Sequence, residues 1–282
     1  MAYECFEVEV VDKVAQITMI RPQRANSMIP SFWTELPEII DGLSDSGAAR
    51  VAVLSAQGKN FCSGMDLEVF GNDETIGGEP KTPGHRSRRN ERFRSTALKL
   101  QDSFTALERA RMPIIMAVQG ACLGGGIDMI SAADMRYATT DAWFSIQEIN
   151  IGMTADVGTL QRLPKLVPEG IVRELAYTGR RWSADEAKAA GFVNDVFPDQ
   201  ETMLDATMAI ASEVASKSPM AVWGTKQTMH YTRDHSVADG LEFIANWNAA
   251  MFDSDDMAEA FKAQLENRSA DFPDLWPLSD GL

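Results

Sequence analysis

Three acids stand close to a glycine turn in the largely apolar stretch Met116 to Gly158: Asp128, Glu148 and Asp156. Glu148 follows Asp128 by 20 residues, and Asp156 follows Glu148 by 8. The string Gly124-Gly125-Gly126-Ile127-Asp128 opens an apolar run of helical character. Three glycines in a row permit a tight turn, and the first N–H groups of a helix have no intrahelical acceptor. Such N–H groups stabilise an anion. An anion site beside carboxylates is what proton transfer next to a carbonyl requires. The amides hold an enolate while the acids move protons. A plain glycine-rich helix start with solvated acids would read the same way, so the surrounding elements have to decide.

A second glycine-centred turn, Phe61-Cys62-Ser63-Gly64-Met65-Asp66-Leu67, follows an earlier strand. Two strand–turn–helix units side by side could each point one backbone N–H at a shared position, giving a two-donor oxyanion hole. Two ordinary strand–helix turns fit the spacing equally well. Other chemistries lack their signatures. The chain has no P-loop, no zinc pattern, no G-x-S-x-G elbow and no G-x-G-x-x-G after a first strand. His85, His230 and His235 lie far in sequence from the acids, which leaves a Ser-His-Asp mechanism unsupported. His230 and His235 read as surface or helix-end residues.

The elements that would carry these residues alternate. Phe6, Val8 and Val10, then Val14, Ile17 and Met19, read as a hairpin around Asp12-Lys13. Ser31 is placed to cap a helix reaching about Leu43. Val51 to Leu54 and Pro113 to Val118 read as buried strands. Met135 to Ala138, Trp143 to Ser145 and Val193 to Phe197 are further strands, with a short helix from Ala184 to Ala190. A loop is expected at 71–84, where glycine and proline concentrate, followed by a long helix to about Arg109. Beyond Asp199 the pattern is helical to about Arg268. The fold class is therefore α/β, with a core at 1–198 and a helical region at 199–282. Amphipathic segments such as Leu241 to Met251 would pack on the core or on a neighbouring subunit.

Composition narrows the function. The 282 residues are 45% hydrophobic and 24% charged, which suits a soluble domain with a sizeable core. The net charge of −15 disfavours nucleic acid and anionic membrane as partners. One basic cluster, His85 to Arg94, either pairs with the protein's own acids or another subunit, or offers a local site for an anion such as phosphate. Cys5, Cys62 and Cys122 show no metal-ligand spacing, so a reducing compartment and no bound metal are expected. No basic and apolar leader opens the sequence, and a cytoplasmic location is expected.

At these residues the sequence resembles the crotonase (enoyl-CoA hydratase/isomerase) superfamily. The resemblance runs from Ile20-Arg21-Pro22 and Ala25-Asn26 through Asn60 to Asp66, Ala117 to Asp128 and on to Phe192-Val193. Within it, the string from Glu148 to Lys165 is similar to that of the Δ3,5-Δ2,4-dienoyl-CoA isomerases, which carry Asp, Glu and Asp at this spacing. Hydratases of the superfamily carry Glu in place of Asp128 and Gly in place of Asp156. The stretches Ser216 to Pro219 and Tyr231 to Val237 point the same way.

The resemblance implies repeated ββα turns in a spiral core and a C-terminal trimerisation region, assembled as a homotrimer or homohexamer. It implies an acyl-CoA substrate with no separate cofactor. Backbone N–H groups of Met65 and Gly125 would bind the thioester oxygen, and Arg24, Ser63, Gly64, Met65 and Asp66 the coenzyme A portion. Glu148 would act at C2 and Asp156 at C6 of a 3,5-dienoyl-CoA, with Asp128 tuning the pair; the two roles could be exchanged. The alternatives are hydration of a 2-enoyl-CoA, for which Asp156 is superfluous, and a non-catalytic acyl-CoA-binding or RNA-binding relative. The family's C-terminal segment that contacts coenzyme A has no clear match around Phe261 to Phe272.

Overall fold

The computed structural model describes residues 3–66, 69 and 86–278. The loop expected at 71–84, His85 and Leu67 lie outside the described residues. Strands β1 (Phe6–Val11) and β2 (Val14–Met19) form the expected hairpin, with Val11 paired to Val14. Its two turn residues, Asp12 and Lys13, both take left-handed φ, +48° and +68°. That is the turn geometry whose twist matches the flanking strands.

Helix α1 (Phe32–Ser46) buries Phe32, Trp33, Leu36, Ile39 and Ile40, a stripe at helical spacing. Ser31 does not cap it. Its backbone is already helical (φ −60°, ψ −37°), and its hydroxyl donates to Glu4 Oε2 at 2.6 Å instead. Pro37 within the helix has no N–H for the Trp33 carbonyl. That carbonyl accepts from Ser103 Oγ at 2.8 Å, which ties α1 to α2 (Arg86–Arg109).

Strands β3 (Val51–Ala56), β4 (Ile114–Val118), β6 (Met135–Thr139) and β9 (Asp195–Phe197) complete a six-stranded sheet ordered β1-β2-β3-β4-β6-β9. From β2 onward its pairs are parallel. Both faces are covered, so the central strands read as unbroken apolar runs. Ile17, Leu54 and Met116 share one core with Phe32, Leu36 and Phe104. Val53, Ile115 and Ala117 share another with Met203 and Ala211 of α7 (Gln200–Ala215).

A second sheet, β5-β7-β8, is built from Ala121–Leu123, Trp143–Ser145 and Trp182–Ser183. Sequence pattern does not reveal β5 or β8, because three and two residues are too few to show a period. Between the strands lie α3 (Gly125–Ser131), α4 (Thr159–Arg162), α5 (Glu169–Thr178) and α6 (Ala184–Ala189). Ser183 caps α6 in a reciprocal arrangement with Glu186.

The C-terminal part is helical, as expected: α7, then α8 (Pro219–Arg233), α9 (Val237–Met251) and α10 (Ser254–Leu265). Helix α9 packs on α8 through Trp247, which stands edge-on to Trp223. A Cβ at Gly224 would lie 2.4 Å from the Trp247 indole nitrogen, so only glycine admits this contact. The chain after α10 returns to the core, where Arg50 Nε donates to Asp274 Oδ1 at 2.8 Å and Leu278 N–H to Asp45 O at 2.8 Å.

Candidate active site

Parallel pairing of β3 with β4 sends the two following segments along the same path. Phe61 N–H donates to Gln119 O at 2.8 Å, Cys62 N–H to Ala121 O at 3.0 Å, and Leu123 N–H to Cys62 O at 2.9 Å. The two glycine turns are thereby laid against each other. Gly64 and Gly124 both take left-handed φ, +86° and +49°. A Cβ at Gly64 would lie 2.9 Å from Leu123 O and 3.5 Å from Gly125 N, so the approach depends on glycine.

Neighbouring amides on both turns are engaged: Asp66 N–H with Met28 O at 3.0 Å, and Gly124 N–H with Ser145 O at 3.0 Å. Met65 N–H and Gly125 N–H donate to no described group. Two available donors on adjoining turns are the elements of an oxyanion hole. A Cβ at Gly125 would meet the buried Met28 thioether at 2.8 Å, and Met28 braces the Gly64–Asp66 turn through its own backbone bonds. Gly125→Val is therefore expected to displace both donors and to lower kcat by about 10²–10³-fold. Steady-state kinetics on a correctly assembled variant check this, and near-normal turnover would remove Gly125 from the mechanism.

The three acids arrive on three different elements. Asp128 lies in the first turn of α3 and is fully buried. Its Oδ1 accepts from Thr159 N–H at 2.6 Å, while Oδ2 is buried with no partner. Burial pushes its pKa up to about 6, against the pull of Thr159 and with the Asp156 charge adding to the rise. Glu148 sits on the 3-10 turn Gln147–Ile151. Its Oε1 is packed so closely on Gly124 that a Cβ there would stand 3.1 Å away, and its Oε2 is buried without a partner. Burial, and after it the charges of Asp128 and Asp156, push its pKa up to about 7. Asp156 is half-buried, and burial raises its pKa as well. Removal from water is the largest cause for all three, and repulsion from the other acids adds to it at Glu148 and Asp128.

One cavity of about 520 Å³ is lined by Arg24, Ser63, Gly64, Met65, Asp66, Gly125, Asp128, Glu148 and Asp156. Every site residue expected from the sequence meets there. Asp66 accepts from Ser27 Oγ at 2.6 Å and from Arg24 Nη2 at 3.5 Å, so its carboxylate orients Arg24 at the cavity wall. Trp33, Phe93, Ala97, Leu100, Ile151, Met153 and Val157 supply apolar wall that sequence reading missed. Trp33, Phe93, Ala97 and Leu100 carried only the signal of apolar positions on helices, which core residues share. Ile151, Met153 and Val157 lie in a short turn and an irregular segment that show no period. Missed too was the support behind the acids. Arg162 bonds Glu108 at 2.8 Å and the Val157 carbonyl at 3.3 Å, and Glu108 also holds Arg233 of α8 at 2.8 Å.

Of the basic cluster, Arg86, Arg88, Arg89, Arg92 and Arg94 are exposed on α2, next to Phe93 at the cavity. His235 is exposed and stacks on Tyr231, and His230 is partly buried beside Asp134. Neither lines the cavity. Cys5, Cys62 and Cys122 are buried free thiols, and burial pushes Cys62 up to about 12, so they pack as small apolar groups.

Residues 9–275 match the family model described as enoyl-CoA hydratase/isomerase. The chain belongs to this family. It is 41% identical over 269 residues to the mitochondrial Delta(3,5)-Delta(2,4)-dienoyl-CoA isomerase of Homo sapiens, covering 95% of this chain and 81% of the relative. It is 40% identical over 262 residues to the peroxisomal Delta(3,5)-Delta(2,4)-dienoyl-CoA isomerase of Arabidopsis thaliana, covering 93% of each. The crystal structure of an enoyl-CoA hydratase from Bacillus anthracis superposes with a TM-score of 0.84 at 27% identity, over 98% of this chain and all of that one. The α/β crotonase fold is thus that of this chain.

The cytoplasmic expectation is overturned by the same comparison, since these relatives are named mitochondrial and peroxisomal. The signal used for it could not separate the compartments. Neither the pattern of a secretory leader nor buried thiols, which suit any compartment that keeps them reduced, distinguishes these compartments.

Proposed function

We propose that the chain is a Δ3,5-Δ2,4-dienoyl-CoA isomerase of fatty-acid oxidation. The observation that carries this reading is the third acid: Asp156 opens onto the cavity that also holds Glu148 and the two available N–H groups. The similarity to isomerases of that name supports it.

In this reading the Met65 and Gly125 amides hydrogen-bond the thioester oxygen, which acidifies the C2 proton. Glu148 takes that proton, leaving a dienolate extended over C1 to C6. Asp156 delivers a proton to C6, both double bonds move, and no water is consumed. The reaction needs one carboxylate ionised and another protonated. A set with Glu148 near 7, Asp128 near 6 and Asp156 raised shares a proton close to neutrality. Asp128, fully buried, acts on the pair through its charge and through its bond to Thr159. Arg24 and the Ser63–Asp66 turn hold the coenzyme A portion, and no further cofactor takes part.

We also read the region 199–282, which carries helices α7 to α10, as the oligomerisation surface of a homotrimer or homohexamer. Leu241, Phe261 and Leu265 stand exposed on α9 and α10, as faces that expect a partner do. No helix among the described residues is long and apolar enough to cross a membrane. The test is direct. Purified protein is given 3,5-octadienoyl-CoA, and the conjugated 2,4-dienoyl product is followed by ultraviolet absorbance, with a 2-enoyl-CoA in parallel. Hydration of the enoyl ester without isomerisation of the dienoyl ester would replace the isomerase by a hydratase.

A further inference from the structure

The segment that carries Asp156 has no regular structure. It hangs between Gly152 and Gly158, whose φ values are +76° and +137°. Its anchors are few. Met153 N–H donates to Glu148 O at 2.9 Å, and Val157 O accepts from Arg162 Nη1 at 3.3 Å. Between them a single bond reaches Asp156 itself: Gln101 Nε2 donates to its carbonyl at 2.7 Å. Gln101 lies on α2, four residues after Ala97, and Phe93, Ala97 and Leu100 of that helix line the cavity. Residues three and four apart on a helix share a face. The same helix therefore walls the cavity and grips the backbone of the acid within it.

The grip matters because it is the one side-chain hydrogen bond to Asp156 among the described residues. The buried Ala155 and Val157 on either side hold the segment to the core but give the Asp156 peptide no hydrogen bond. The Asp156 carboxylate makes no hydrogen bond to another described residue, and the one donor acting on it is its own backbone N–H, so its direction follows the orientation of the 155–157 peptides. Glycines at both ends leave that orientation soft. An error of about 1 Å in a reacting group can cost on the order of 10² in rate.

We propose that Gln101 is a positioning residue whose side-chain amide sets the Asp156 carboxylate against C6 of the dienolate. This rests on the isomerase reading given above. Its consequence is specific: loss of the amide impairs delivery of the proton at C6 and spares its removal at C2.

The test uses Gln101→Met, which keeps the length of the side chain and removes the donor, and Gln101→Ala. Isomerisation of 3,5-octadienoyl-CoA and deuterium exchange at C2 are measured together. In both variants kcat for isomerisation is expected to fall about 10–10²-fold, with KM within about twofold of wild type and C2 exchange retained. Unchanged isomerisation in both would overturn the proposal. So would a parallel fall of exchange and isomerisation, which marks a structural role only. A wild-type protein inactive on the dienoyl ester would instead remove the isomerase reading, and this one with it.

Discussion

Asp156→Asn lowers isomerase turnover by about 10²–10⁴-fold, the usual contribution of a positioned acid or base, and leaves the affinity for CoA esters close to wild type. The substitution nearly preserves shape. It breaks no hydrogen bond to another described residue, because the loop is held through the Asp156 carbonyl by Gln101 rather than through the carboxylate. The loss is therefore one of chemistry. Glu148 remains to take the C2 proton, so exchange of that proton with deuterated water continues while C6 goes unprotonated. The Asp156 charge also raises the Glu148 and Asp128 pKa values, and with it gone both fall. The exchange reaction of the variant then keeps its base ionised to lower pH than wild type. Exchange lost in Asp156→Asn but kept in Glu148→Gln would reverse the two roles. Full isomerase activity in Asp156→Asn would return hydration to first place.

What could be read in the chain beforehand follows the range of the interactions involved. Hairpin and buried strands are written in short-range alternation and in unbroken apolar runs such as Val51 to Leu54. Glycine turns are equally local, since left-handed φ at Gly64 and Gly124 is a property of single residues. The acids were legible from their spacing behind the glycine turn together with the family resemblance, since Asp134 and Asp141 stand in the same stretch and do not line the cavity. Ser31 failed as a cap because Glu4, 27 residues away, competes for its hydroxyl. Gln101 was invisible for the same reason, as its partner lies 55 residues on and a glutamine in a polar helix has no signature. The Trp33 carbonyl, left without an N–H by Pro37, finds its partner in Ser103, 70 residues on. Periodicity shows which face of an element is buried and says nothing of which distant backbone group a polar side chain will find.

Glu148→Gln is expected to abolish both reactions and to make the protein more stable. Isomerisation falls by about 10²–10⁴-fold, and C2 exchange falls with it, because the group that opens the sequence is gone. The double variant with Asp156→Asn is expected to be little worse than the poorer single one, since the two acids serve one dienolate in succession. The gain in stability follows from the sign of the pKa shift. Glu148 titrates near 7 in the fold against 4.5 ordinarily, so between those values the unfolded chain is ionised while the folded protein keeps its proton. The folded state binds more protons there, and stability is lost as pH rises. Below about 4.5 both states are protonated and the residue contributes nothing. Above about 7 the folded protein holds a buried carboxylate with an unpartnered Oε2, beside Asp128 and Asp156. A neutral glutamine has no such slope. The Tm difference between variant and wild type should therefore grow from about pH 4.5 to 7, reach a few degrees, and stay level beyond. Thermal melts across that range, run beside the exchange assay, measure both effects. A Tm difference constant with pH, or a variant less stable than wild type at pH 8, would mean that Glu148 is not held in the fold at a cost, and that its burial against Gly124 is not the source of its basicity.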